Sequence, residues 1–561
     1  MPVTGSRTFY PLALAAILLV CSLADVRGDD QSQGAARSTA PHAASPTNAF
    51  KTSDECMACH NSLQTSSGED ISIGSNWRAS IMANSSRDPY WQASVRRETL
   101  DHPSAAKAIQ DECSICHMPM ARTEARFQGR EGEVFSHLPV GSGASHESLL
   151  AYDGVSCTIC HQITGDKLGT PESFTGGYVI APPPAGGKPT EPRSLFGPFQ
   201  IEKGLTTVMH SSSEFKPAEA AHVRQSELCA TCHTLITKAL GPGGEVIGEL
   251  PEQVMYLEWR HSAYVGEEKS CQSCHMPAVQ ESTPIASVLG QPREGMARHQ
   301  FVGGNSFMLR MLNRYRLELG IAASSAELDA SIKRTVDNLQ TSTARVSIDN
   351  LSVAGGRATF DVSVQNLTGH KLPTAYPSRR AWLHVTLKDR TGRVLFESGA
   401  IDAKGQIAGN DADADGAKFE PHYTDIGSSG EVQIYESVMA NSAGAPTTGL
   451  LQAVRYLKDN RLLPRGFDKN SADKNIAVVG SAATDDNFSG GSDRVRYSVE
   501  VGPLDGPVEA VVELRFQSIG YRWAQNLADY QSDESARFAG YYNNLSSVSS
   551  EVLATASAAS R

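Results

Sequence analysis

Positive charge is scarce in this chain of 561 residues: 50 lysines and arginines face 62 aspartates and glutamates, for a formal net charge of −12. That balance offers nothing to neutralise a phosphate backbone, which excludes nucleic acid as a partner. Low-complexity bias is absent as well; 40% hydrophobic and 20% charged residues describe an ordinary globular composition. Long apolar runs are few. The stretch "YPLALAAILLVCSLA", preceded by Arg7, is too short and wrongly flanked for a spanning helix, so no stable membrane span is expected. It reads as the apolar part of a secretory signal, with small residues at Ser22 and Ala24, or Val26 and Gly28, for cleavage. An anchor is the bland alternative, and a lipoprotein attached at Cys21 fits poorly with Val20 before it. Export to the periplasm or the cell surface is the expectation.

Stray cysteines are also missing. Of eleven cysteines, one is Cys21, and the other ten form five copies of one pattern: "CMACH" at Cys56, "CSICH" at Cys113, "CTICH" at Cys157, "CATCH" at Cys229 and "CQSCH" at Cys271. Chance would yield on the order of 0.01 C-x-x-C-H matches in such a chain. Five disulfides would not need a histidine after every second cysteine. Zinc sites built from paired C-x-x-C units do not divide evenly into five, and a thioredoxin-like motif occurs once per domain. Covalently attached c-type haem, five per chain, is the reading left.

The spacing has a chemical reason. Each cysteine sulfur adds to a porphyrin vinyl group, and two intervening residues set the sulfurs at the vinyl separation. Cys56, Cys59, Cys113, Cys116, Cys157, Cys160, Cys229, Cys232, Cys271 and Cys274 are therefore the attachment points. His60, His117, His161, His233 and His275 are the proximal iron ligands.

A sixth ligand makes a haem an electron carrier, and an open position lets it do chemistry. Sixteen histidines less these five leave eleven to choose from. An internal repeat narrows the search: "WRASIMA" (Trp77 to Ala83) and "WRHSAYV" (Trp259 to Val265) share W-R-x-S-x-Z, and each precedes a haem motif ending in Met-Pro. The Z position holds Met82 in one copy and Tyr264 in the other. Met82 is an axial-ligand candidate, or else a thioether packed on a ring face.

With the five motifs, the W-R-x-S-x-Z element, the paired "CHMP" and the later "GHKLPTAYPSRR", the chain resembles the multihaem c-type cytochromes. That family includes the electron acceptor in hydroxylamine oxidation, and the likeness is greatest to larger exported members with a C-terminal β domain. The resemblance implies His299, in "RHQFVGGN", and His370, in "GHKLPT", as distal ligands. Relatives often carry histidine at Z, so Met82 and Tyr264 depart from the pattern. His210 and His146 are further candidates from their placement between motifs, with His261 in reserve.

The expected fold class is α+β. A signal peptide (1–28) and a disordered linker (29–50) precede a pentahaem domain (51–343) of short helices and loops packed on haem. From 344 to 520 the texture changes: "ARVSIDNLSV", "RATFDVSVQN", "AWLHVTLKD" and "EAVVELRFQ" alternate apolar and polar residues, which predicts a β-sandwich. A terminal helix and a loose tail (521–561) follow. Within the β part, D-x-D-x-D-G (Asp411, Asp413, Asp415, Gly416) opens like a calcium loop, but its twelfth position is His422.

The reading of function that follows is an exported carrier of electrons between redox proteins by haem-to-haem transfer, rather than an enzyme. Two alternatives stand beside it: an oxidoreductase acting on a small nitrogen or sulfur compound at one open-site haem, and a subunit of an extracellular haem filament. No C-x-x-C-K variant is present to mark a specialised catalytic haem.

Overall fold

A computed structural model describes residues 48–560, apart from 142, 144 and 182–191. The signal peptide, nearly all of the linker and the centre of the Pro/Gly-rich loop before Arg193 lie outside the described residues. The chain is α+β, and its helices and strands are largely separated along the sequence.

All five C-x-x-C-H motifs fall on or at the end of a helix: Ser53–Met57, Ala106–His117, Cys157–Cys160, Ser226–His233 and Cys271–His275. Three of these have four or five residues, too few to hold together on propensity, so their stability comes from what surrounds them. Longer helices carry ordinary start signals. Pro89–Asp101 has proline in its first turn, and Asp88 Oδ1 accepts the Tyr90 and Trp91 amides at 2.8 and 3.2 Å. Ser325–Ser342 opens on a capping box in which Ser324 and Glu327 satisfy each other's amides. Glu327 also accepts Arg78, the arginine of the first W-R-x-S element. That ion pair ties the helix before the β part to the region of the first motif.

The β part begins at Ala344. One sheet contains β1 (Ala344–Ala354), β2 (Arg357–Asn366) and β5 (Ser492–Glu500), joined antiparallel in the order β5-β2-β1, with a short parallel pairing at Asp425–Ile426. The other runs β4 (Val394–Ser398), β3 (Arg380–Asp389), β6 (Val508–Gln517), β7 (Ser550–Ala559), all antiparallel. Alternating residues of both sheets enter one apolar core: Phe360, Val362 and Tyr497 from the first, and Leu383, Val385, Val512 and Leu514 from the second. Phe360 and Tyr497 stack at 5.0 Å.

The terminal segment corrects an expectation. After the helices Tyr521–Ala528 and Asp533–Leu545, residues 550–559 are not loose; they form β7 along the edge of β6. The small alternating side chains of "SEVLATASAA" hide the strand signal, and pairing to β6 supplies the order that propensity does not.

The β part is joined to the motif-bearing part through buried charge. Lys371 Nζ meets Asp459 at 2.7 Å, Arg461 meets Asp459 at 2.7 Å, and Arg461 reaches Glu258 at 3.0 Å. Glu258 belongs to the helix Met255–Arg260 and also accepts the Lys371 amide and the Thr374 hydroxyl. Each charge has an opposite neighbour, the condition under which buried ions are tolerated.

Candidate haem-binding centre

One continuous cavity of about 1260 Å³ runs through the part of the molecule before Ala344 and up to the β part, and every motif opens into it. All ten motif cysteines and all five motif histidines line it. Its walls are mostly apolar, with Ile73, Trp77, Ile109, Leu195, Phe199, Leu205 and Leu309 among them.

Histidine orientation follows one rule at four of the five motifs. His60 Nδ1 pairs with the Ile285 carbonyl at 2.6 Å, His117 with Ser85 at 3.1 Å, His161 with Phe196 at 2.6 Å, and His275 with Val302 at 2.5 Å. A carbonyl only accepts, so Nδ1 carries the proton and Nε2 presents its lone pair, the tautomer a metal-bound imidazole requires. Burial holds His117 and His233 down to about 4, which keeps both rings neutral.

Two motif histidines face a second imidazole. The His161 and His299 rings are 6.4 Å apart and 22° from parallel; the His275 and His370 rings are 6.4 Å apart and 19° from parallel. His299 Nδ1 pairs with the Ala297 carbonyl at 3.0 Å and His370 Nδ1 with that of Lys371 at 2.9 Å. The gap has a simple measure. A metal–nitrogen bond of about 2.0 Å plus about 1.2 Å from nitrogen to ring centre, taken twice, gives about 6.4 Å. The donor set therefore fits an iron held between imidazoles at both places.

Other candidates are placed differently. His210 is exposed and does not line the cavity; on its helix, Lys203–Ser213, the inward stripe is Leu205, Val208, Met209 and Ser212. The helical period puts the neighbouring thioether, Met209, where the imidazole was expected. His146 is exposed in the first turn of its helix, also away from the cavity. His261 turns outward, pairing its Nδ1 with the Leu257 carbonyl at 2.8 Å. Met82 does line the cavity. Tyr264, its counterpart in the repeat, lines it too and donates to the Leu367 carbonyl at 2.5 Å, just before the His370 loop.

The loop that opens like a calcium site is committed elsewhere. Asp411–Ala414 is a helical turn, and both Asp413 oxygens receive Arg380 at 2.8 and 2.9 Å. His422 points into a separate buried group, with Nε2 3.1 Å from Asp485. Gln433 and Asn460 both aim amide N–H groups at its Nδ1, at 2.8 and 3.1 Å. With Nδ1 accepting, Nε2 carries the proton and donates to Asp485. A metal at Nε2 would need the opposite arrangement.

Three pairs of motifs are neighbours. The helix Ser53–Met57 of the first lies against Cys157–Cys160 of the third. In the fifth, the Cys271 amide donates to the hydroxyl of Ser226, on the helix of the fourth, at 3.0 Å. Gly176 donates its amide to the Thr231 carbonyl of the fourth motif at 2.6 Å and lies against Ile115 of the second.

No family model matches the chain, and no curated protein matches it. Among solved structures it is similar to the crystal structure of a penta-heme cytochrome c552 from Thermochromatium tepidum. The TM-score is 0.50 at 15% identity, over 91% of this chain and 99% of that one. The fold is a multihaem cytochrome fold. The residues present suit covalent haem c: thiols in pairs at the walls, a proton-fixed imidazole beside most pairs, and apolar space between. When bound, such groups supply reversible one-electron chemistry at iron.

Proposed function

We propose that the protein is an exported pentahaem cytochrome that passes electrons between redox partners along its own haems. The single observation that supports this most is the cavity with five cysteine pairs and five histidines on its wall. In this reading the cysteines hold each group, the carbonyls at Nδ1 set ligand orientation, and the apolar lining excludes water and fixes separation. Electrons then step between neighbouring motifs, the first with the third and the fourth with the second and the fifth. His299 and His370 serve as distal ligands of the third and fifth haems.

We read residues 51–343 as the haem-carrying domain and 344–520 as a β-sandwich whose loop after β2 completes the fifth site. Two experiments test the proposal: intact mass of exported material, expected to show five haems per chain, and a spectroelectrochemical titration. Five one-electron steps are the expected outcome of the titration. A colourless product from a host able to attach haem would refute it.

A second reading, an oxidoreductase at an open-site haem, is favoured by one observation. Among the described residues, His60, His117 and His233 have no imidazole facing them as His161 and His275 do. Electron paramagnetic resonance of the ferric protein distinguishes the two, since an open haem gives a high-spin signal.

A further inference from the structure

The two W-R-x-S-x-Z elements make the same hydrogen bonds. The Trp77 indole N–H donates to the Val155 carbonyl at 2.9 Å, and the Val155 amide donates to the carbonyl of Met82, the Z residue, at 3.1 Å. In the second element the Trp259 indole donates to the Lys269 carbonyl at 2.9 Å, and the Lys269 amide donates to the carbonyl of Tyr264, again Z, at 3.1 Å. Val155 and Lys269 each stand two residues before the first cysteine of a motif, Cys157 and Cys271. The residue before each is in the left-handed region, Gly154 at φ 61° and Glu268 at φ 55°. The residue after each, Ser156 or Ser270, is the N-cap of the motif helix. What Z supplies in both copies is a main-chain carbonyl, which methionine and tyrosine provide equally.

Sequence spacing hides this match. Trp259 precedes Cys271 by 12 residues, but Trp77 precedes Cys157 by 80 (271 − 259 and 157 − 77), and the second motif lies in between. Adjacency pairs the first element with Cys113, whereas the hydrogen bonds pair it with the third motif. The clamp also goes with imidazole pairing. The third and fifth motifs are the two whose histidines face a second imidazole, each at 6.4 Å. Among the described residues the other three motifs have neither a facing imidazole nor an indole bond before their first cysteine.

The helices Cys157–Cys160 and Cys271–His275 have four and five residues, too few to fix their own direction. A gap set by two metal–nitrogen bonds leaves little slack, so the start of each helix must be held. One bond to the amide and one to the carbonyl fix the peptide planes on both sides of Val155 and of Lys269. In the second copy the element reaches the facing loop as well. The Tyr264 hydroxyl donates to the Leu367 carbonyl, and a Cβ on Gly369, next to His370, would stand 3.4 Å from both Trp259 Cδ1 and Tyr264 Cγ. We propose that Trp77 and Trp259 are positioning residues in two copies of one haem site, each setting the pose of its motif histidine, His161 or His275, against the facing imidazole. The proposal rests on the pentahaem reading above.

The test uses the exported holoprotein, with five haems per chain verified by mass, and electron paramagnetic resonance of its ferric form. His299→Ala and His370→Ala are each expected to abolish one low-spin signal, which assigns the third and fifth haems. Trp77→Phe is expected to shift the signal lost in His299→Ala and leave the other in place. Trp259→Phe is expected to do the reverse. Phenylalanine is smaller than tryptophan, so each indole is also exchanged for its sulfur isostere, β-(3-benzothienyl)alanine, which keeps the shape and lacks the N–H. The same selective shifts are expected. If the isosteres leave the spectrum unchanged, the hydrogen bonds position nothing and the proposal fails. It fails as well if either tryptophan variant moves every signal alike or lowers only the melting temperature, or if the histidine variants abolish no signal. A parent protein with fewer than five haems would instead overturn the reading on which the proposal rests.

Discussion

Before Ala344 the motifs line one cavity of cysteines, histidines and aliphatic walls, flanked by small apolar clusters; after it, two sheets share one apolar core. Phe360, Tyr497, Trp382 and Tyr435 are wholly enclosed by other side chains of the β part and its loops. Both parts obey the same demand for dense packing. The sheets meet it with a shared core of side chains, whereas three of the motif helices are too short to hold together on propensity and depend on what surrounds them.

Substitutions on either side of Ala344 probe that contrast. The largest effect is expected from replacing Cys229 and Cys232 together with serine, since the fourth motif neighbours two others and both its thiols line the cavity. Haem content should fall below five, with destabilisation beyond about 4 kcal/mol, the range of lost anchors. Intact mass and thermal melting measure both; an unchanged melt would show that the motif-bearing part is stable without that anchor. Next, Phe360→Ala in the filled core should cost about 3–5 kcal/mol by leaving a cavity, with haem content unchanged. Parallel loss of haem in that variant would erase the distinction between the two parts.

A smaller, pH-dependent effect is expected at His422. Burial, the largest influence, lowers this imidazole despite Asp493 and Asp485 beside it, so the folded state prefers it neutral. Its contribution to stability is complete above the ordinary histidine value of about 6.5 and is lost as pH falls below it. Denaturant titrations of His422→Gln against the parent should diverge above that value and converge below it. Convergence at every pH would show that the group contributes nothing. The smallest effect belongs to the exposed Lys333–Asp337 pair, 2.5 Å apart on the helix Ser325–Ser342. Lys333→Ala should change stability by less than about 0.5 kcal/mol.

The five motifs that meet at the cavity were legible from the sequence because the C-x-x-C-H spacing is fixed within five residues. The strands β1, β2, β3 and β6 were legible for a similar reason, since a period of two is local. The imidazoles that face two of these motifs are different. His299 and His370 lie 138 and 95 residues from the histidines they face (299 − 161 and 370 − 275), and no local pattern encodes that pairing; only resemblance suggested it. His210 misled because adjacency in sequence says nothing about which face of a helix meets the cavity. The calcium loop misled because its second aspartate was already claimed by Arg380, a residue 33 positions earlier.

The carbonyls paired with the Nδ1 atoms of His60, His117, His161 and His275 come from segments 225, 32, 35 and 27 residues away. Each ring is therefore aimed by the fold and not by its own motif. A displaced loop would turn an imidazole away while every cysteine stayed where it was.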